Sequence, residues 1–364
     1  MHKIDRIVLF ITVIILLFSL ATLYSSCHVK GEFLRSDIFF RQVIWILAGL
    51  FIMWVFSNID YHKLWDFAWP LYALALFVLF FVLIFGRSIL GAQRWLELGG
   101  FNFQPSEFGK LVLIIVLSRY FSKKSFDELA VVKKQSSALK GFVIPLIITG
   151  GLTILVLAQP DLGTAIIYLL IFLIMVFFIG VRFRYILISI SLFLLLSPFI
   201  WMSLRDYQKD RLLVFLNPNR DPLGAGYTII QSKIAVGSGR LLGKGWFSGT
   251  QNQLNFLPER HTDFIYSTIG EEWGFLGSII LIILFYILIK RILRLAGLVH
   301  DPFAKNLCLC IASLIFIQFF INIAMTAGFM PVVGLPLPFI SYGGSSLVSL
   351  FLLIGIVLNI SKRY

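Results

Sequence analysis

Charge is what this sequence has least of: Asp, Glu, Lys and Arg make up 13% of its 364 residues, against 59% in the hydrophobic set. Such a balance leaves a soluble globule too little charge to cover its surface. Cysteine is scarce as well. Cys308 and Cys310 stand two apart in an apolar run, on nearly opposite sides of a helix, which suits neither a disulfide nor a metal site. No Walker sequence, dinucleotide glycine turn or His-Glu-x-x-His pair occurs, so the chain carries no ATPase of its own. Internal repeats and low-complexity linkers are missing too.

What fills the space is apolar sequence in long runs, rich in the 37 phenylalanines. Ten runs are long enough to cross a bilayer: 7–24, 41–57, 68–86, 106–121, 142–158, 162–180, 183–203, 264–289, 303–327 and 342–360. The first follows Lys3 and Arg6, exceeds a signal-peptide core and lacks a small-residue cleavage site, so it reads as a retained helix. The expected fold class is an all-α polytopic membrane protein of about ten transmembrane helices. It forms one membrane domain over 1–364, interrupted once by a long loop, about 204–262, before helix eight.

Orientation follows from basic residues. With the N-terminus inside, inner segments collect seventeen Lys and Arg and the short outer loops only five. The long loop is left out of that comparison, because long segments translocate regardless of charge. Both termini are therefore expected to be cytoplasmic and the long loop external. The net charge of +13 is then a topology signal, and no nucleic-acid partner is expected.

Four outer blocks hold polar residues that lipid would not tolerate. The first is Gly91-Ala92-Gln93-Arg94-Trp95 with Phe103-Gln104-Pro105-Ser106-Glu107, where Pro105 starts a helix and Ser106 is its expected cap. Glu107 and Lys110 share a helix face, so they form a local ion pair or serve a site; intramembrane charge favours the second. Trp95 taken alone reads as an interfacial anchor. The second block, Gln159-Pro160-Asp161-Leu162-Gly163-Thr164, places Asp161 as the cap of the sixth helix, rimming an outer cavity.

The third block runs from Asp221 to Arg240 and closes on Pro258-Glu259-Arg260-His261-Thr262-Asp263. Thr262 or Asp263 could simply cap the eighth helix. A carboxylate at a membrane surface beside Glu259 and His261 is also what proton abstraction needs, and the two readings stand level. Capping would lower the pKa of Asp263, apolar surroundings would raise it, and both remain open. Glu271 and Glu272 lie two turns further in and must face a cavity or a partner group. In the fourth block, Pro331 to Ser346, three prolines and three glycines make an irregular segment that has to line protein or water.

In this order the blocks resemble the SEDS family of bacterial cell-wall glycosyltransferases, and within it the RodA branch. The matching stretches are GAQRW at 91–95, FQPSE at 103–107, QPDLGTA at 159–165, DPLGAGY at 221–227, GTQNQLNFLPERHTDFI at 249–265 and PVVGLPLPFISYGGSS at 331–346. The resemblance implies a polymerase of peptidoglycan glycan strands acting on lipid II, an undecaprenyl-pyrophosphate-linked disaccharide pentapeptide. Asp263 matches the family's essential carboxylate and Trp95 its essential aromatic. Arg94, Glu107, Lys110, Glu259 and Thr262 match its polar cavity. A class B penicillin-binding protein is the implied partner.

An α-linked donor and a β-1,4 product require inversion in one displacement. That calls for a base on the acceptor hydroxyl and charge relief for the leaving pyrophosphate. Asp263 is the expected base. Arg94, Lys110, Lys233, Arg240 or Lys244 would neutralise pyrophosphate, unranked, and a divalent cation could assist; no other cofactor is expected. A lipid II flippase and a non-catalytic scaffold are the rival readings. The first should place its site at the midplane, and the second leaves the 259–263 cluster unexplained.

Overall fold

The protein is seen in a computed structural model that describes residues 5–27, 36–89, 92–98, 101–123, 135–180, 204–222 and 224–364, with isolated positions between 185 and 202. Nine of the ten expected spans coincide with helices. They are α1 (Arg6–Cys27), α2 (Ser36–Asn58), α3 (His62–Phe85), α4 (Pro105–Lys123), α5 (Gln135–Ala158) and α6 (Leu162–Phe178), then α10 (Ile265–Glu272) continued by α11 (Gly274–Leu298), α12 (Pro302–Thr326) and α13 (Gly344–Ser361). Seven of these helices are long and apolar enough to cross a membrane. α4 is too charged for that description, with Glu107, Lys110 and Arg119 in it, and α6 is shorter. The expected span at 183–203 lies mostly outside the described residues. The chain is a multi-pass membrane protein.

The described residues bear out the all-α class and add two details to it. One small antiparallel sheet, β1 (Arg87–Ile89), β2 (Ala92–Leu98) and β3 (Phe101–Phe103), lies between α3 and α4. The long segment before helix eight carries short helices of its own. It folds as α7 (Asp206–Leu216), a 3-10 turn (Pro218–Arg220), α8 (Ala225–Ser238) and α9 (Thr250–Gln253). Each is shorter than a span, so a search for membrane-length runs passes over it.

The helices divide by what surrounds them. Only 17–22% of the most apolar stretches of α2 and α3 is buried inside the protein, and their Phe51, Trp54, Phe77 and Phe85 rings point outward; lipid solvates them. The corresponding shares in α12 and α13 are 78% and 72%, so these two are the bundle's core. α2 lies against α13 at van der Waals distance because glycines open the way. A Cβ on Gly49 would enter the Phe351 ring, and one on Gly355 would come within 2.8 Å of the Met53 carbonyl oxygen.

Four contacts gather one end of the bundle. Asp60 pairs with Arg363 at 3.0 Å, Tyr61 donates to Asp301 at 3.0 Å, Arg291 pairs with Asp5 at 2.6 Å, and the Asp5 amide donates to Ser361 Oγ at 3.2 Å. Both chain ends and the α2–α3 and α11–α12 turns therefore meet on one side, as an even number of crossings requires. The four polar blocks meet on the other.

The eighth span is broken. Gly274 has φ +61°, a left-handed conformation at the junction where α10 ends and α11 starts. Residues 239–245 fill the break: Lys244 and Gly245 amides donate to the Glu271 and Glu272 carbonyls at 2.9 and 3.1 Å, and Phe275 donates to Arg240 O at 2.9 Å. A Cβ at Gly274 would collide with the Gly243 amide, so the break is built for a glycine. Backbone groups freed at membrane depth thus find partners inside the protein, as they must.

Candidate active site

The fourth block holds the third in place. Ser341 Oγ donates to Thr262 O at 2.6 Å and the Tyr342 amide to His261 O at 2.8 Å. From α12, Asn322 Nδ2 donates to Asp263 O at 2.9 Å and to Leu335 O at 2.7 Å. Beneath, the buried Arg260 donates to Ser26 O at 3.1 Å and Asn252 O at 2.6 Å, tying the segment to the end of α1. The backbone of 260–263 is thereby fixed from three sides.

Neither Thr262 nor Asp263 caps α10; the cap position is Phe264, with no side-chain hydrogen bond. Thr262 instead turns its hydroxyl to Glu259 Oε2 at 2.9 Å. The Asp263 carboxylate accepts no hydrogen bond from any described residue. Burial pushes its pKa up to about 6, the Glu259 carboxylate adds to that, and the guanidiniums of Arg211 and Arg94 pull the other way. The two opposing influences left open by the sequence are thus resolved toward a weaker acid, because the capping geometry never forms.

Around Asp263 the other blocks converge. Arg94, on β2, donates to Gln159 O at 3.2 Å and to Pro160 O, and lies 3.8 Å from Asp161 Oδ1. Asp161 caps α6 as expected, accepting from the Thr164 amide at 3.2 Å, and also accepts from Gln104 Nε2 at 3.2 Å. Pro105 starts α4, but Ser106 is not the cap; it lies inside the first turn and accepts from Gln104 Nε2 at 3.1 Å. Glu107 and Lys110 do pair, at 2.7 Å with both side chains almost wholly buried, one turn from this network. The Glu107 oxygen Oε2 has no partner among the described residues.

Other expected residues lie apart from this cluster. Alternation along β2 puts Trp95 on the face opposite Arg94. Lys244 is committed to Glu271 at 2.7 Å and Thr250 at 2.8 Å. Lys233, exposed on α8, packs its stem against Gly328. Arg240 is exposed in the turn that fills the helix break. Among the described residues no group of three or more His, Cys, Asp or Glu is arranged to hold a metal ion.

Three contributors went unread in the sequence. Arg211 and Tyr207 sit four apart on α7, the guanidinium 5.9 Å from the ring, and Tyr207 donates to Pro160 O at 3.0 Å. Their i, i+4 spacing is the available signal, in a segment with no membrane-length run to mark it as helical. Asn322 had none, being one of three side-chain amides in an apolar helix with nothing in the sequence to single it out. Arg94, Tyr207, Arg211 and residues 331–333 enclose a cleft of about 30 Å³, room for a water and not for a sugar ring. Gly334 closes the ring of contacts: φ is +72°, and a Cβ there would lie 3.4 Å from Asp263 Oδ2 and 3.8 Å from Arg211 Nη1.

Known proteins resemble this chain in sequence and fold. The chain is 42% identical over 321 residues to the peptidoglycan glycosyltransferase MrdB of Escherichia coli K12, covering 88% of this chain and 84% of that one. It is 38% identical over 367 residues to a probable peptidoglycan glycosyltransferase FtsW of Geobacter sulfurreducens, covering 100% and 96%. A solved chain from a peptidoglycan synthase complex that coordinates polymerization and crosslinking superposes with a TM-score of 0.81 at 31% identity, covering 100% of this chain and 99% of that one. The rod shape determining protein RodA of Thermus thermophilus superposes with a TM-score of 0.72 at 26% identity, covering 99% and 97%. The family model for FtsW, RodA and SpoVE, described as cell cycle proteins, matches residues 5–364, and this chain belongs to that family.

Proposed function

We propose that this chain is a peptidoglycan glycosyltransferase that joins lipid II into β-1,4 glycan strands for cell elongation. In this reading it works as a single membrane domain over 1–364 at the outer leaflet of the bacterial cytoplasmic membrane. The observation that carries it is Asp263: an unbonded, half-buried carboxylate with its pKa lifted to about 6, backbone-fixed, and within reach of two arginine fields. A base poised near working pH, held in place but not consumed by a salt bridge, is what deprotonating an acceptor hydroxyl needs.

Asp263 takes the proton of the acceptor 4-hydroxyl as that oxygen attacks the anomeric carbon. The bond to pyrophosphate breaks on the opposite face, and the leaving charge is met by Arg94 and Arg211. Thr262 steadies Glu259, whose negative charge helps keep the base weakly acidic. Substrate entry has to part α7 from the 331–334 segment, since the closed cleft holds only a water. Crosslinking belongs to a class B penicillin-binding protein. The synthase complex to which the similar solved chain belongs supports such a partner, and so do the outward apolar faces of α2 and α3.

The test is purified protein in vesicles with labelled lipid II, assayed for glycan polymer and for transbilayer movement. Polymer without added nucleotide is the expected result; movement without polymer would replace the reading by a flippase. Co-purification with each class B penicillin-binding protein of the host checks the partner, and the idea fails if none binds or alters polymer yield.

A further inference from the structure

At the opposite end of the bundle from Asp263, a cleft of about 360 Å³ opens between the start of α1, the last turns of α11 and the end of α13. Arg6, Arg291 and Arg294 line it, with Asp5 as the one acidic side chain. Asp5 is already satisfied: it pairs with Arg291 at 2.6 Å and takes the Ile7 and Val8 amides at 3.1 and 3.3 Å. Arg6 and Arg294 have no hydrogen bond or ion pair among the described residues. Two uncompensated guanidiniums therefore face a cavity whose remaining wall joins the apolar Ile7, Leu295 and Leu298 to Ser361 and Tyr364.

The bland account is that basic residues at this end only set topology. It explains their number. It does not explain why residues nearly three hundred positions apart converge on one cavity, or why the single acidic side chain there is spent on shaping it. Ile7 and Leu298 are 45% and 61% exposed, so the cavity runs out onto the lipid-facing surface.

We propose that this cleft binds an anionic diacyl phospholipid of the adjacent leaflet. The guanidiniums of Arg6 and Arg294 hold its phosphodiester, and its acyl chains follow Ile7 and Leu298 into the bilayer. A planar guanidinium suits phosphate better than an ammonium does, and basic pockets between membrane helices at this depth take such headgroups. The site is independent of the reading given to Asp263.

Native mass spectrometry and thermal unfolding test it, on protein exchanged into vesicles of phosphatidylcholine with and without phosphatidylglycerol. Phosphatidylglycerol is expected to stay bound and raise the Tm. The double variant Arg6→Gln/Arg294→Gln should bind it about 30-fold more weakly, two basic side chains at about 1 kcal/mol each. Arg6→Lys/Arg294→Lys, which keeps the charge, should retain most of the affinity and shows whether the fold tolerates change there. Unchanged affinity in the Gln double variant overturns the proposal. So does an equal loss in Lys63→Gln, an exposed residue at the same end but outside the cleft, because that would be general surface attraction. Equal protection by inorganic phosphate alone also overturns it, leaving a free-anion site instead of a lipid site.

Discussion

Asp263 and Glu271 are two carboxylates of the same bundle end, eight residues apart, with opposite fates. Glu271 Oε1 takes three donors: Lys244 Nζ at 2.7 Å, the Thr250 hydroxyl at 3.0 Å and the Gln251 amide at 3.1 Å. Asp263 takes none, although two arginines stand near enough to influence it. A carboxylate given a lysine and two further donors is a fastener, joining the 244–251 turn to α10. One held by its backbone alone, with its oxygens left open, is kept for a substrate. Acidic residues in apolar surroundings thus need sorting by what their oxygens already do.

The largest effect that sharpens this contrast comes from Asp263→Asn. Polymerisation from labelled lipid II should fall about 10²- to 10⁴-fold. The protein should unfold no more easily than before. A folded-state pKa above the usual carboxylate range means that the ionised form opposes folding once pH rises past the ordinary value. The neutral amide removes that penalty. Wild-type polymer yield from the Asn variant would erase the distinction between the two carboxylates.

Arg211→Gln is next, with a loss on the order of 10²-fold in kcat if the guanidinium meets the leaving pyrophosphate. The same substitution removes a cation that lowers the Asp263 pKa, so the acid limb of the rate profile should move to higher pH. Loss of rate with an unmoved profile would place Arg211 outside the field of the base.

The pH profile of the unmodified protein gives a graded effect. A base must be deprotonated, so the rate should be level above about pH 6 and fall roughly tenfold per unit below it. A rate unchanged down to pH 4.5 would contradict a base of that pKa.

Glu271→Ala should do least to the chemistry. Its three donors lose a shared acceptor, at roughly 1–3 kcal/mol for each that stays buried and unpaired, so Tm falls. Activity per folded molecule should remain within a few-fold of wild type. A hundredfold loss at full stability would move Glu271 into the site and end the comparison.

How far the sequence led can be judged from individual residues. Asp161 as a cap and Pro105 as a helix start were legible, and the Glu107–Lys110 pair was one of the two readings open for those residues, because each depends on neighbours within a turn. Ser106 as a cap failed by two residues, since the helix starts at Pro105 and Gln104 precedes it. Thr262 and Asp263 as caps failed for a longer-range reason. Ser341, Tyr342 and Asn322 hold the 261–263 carbonyls, so the helix starts after Phe264 and the carboxylate is released. Lys244 showed the same limit, since its positive charge said nothing about Glu271, twenty-seven residues on.

By itself the sequence determined that the chain spans a membrane many times, that its basic residues crowd one side and that its polar blocks crowd the other. Hydrophobic run length and charge placement act locally against a solvent of known thickness, and both survive reading one residue at a time. Which of several acidic and basic residues stays available for chemistry was decided only in the folded chain. Availability is what remains after every nearby donor and acceptor has been assigned. Here those partners arrive from 94, 161, 211, 322 and 341, positions that only the packing of the helices brings together.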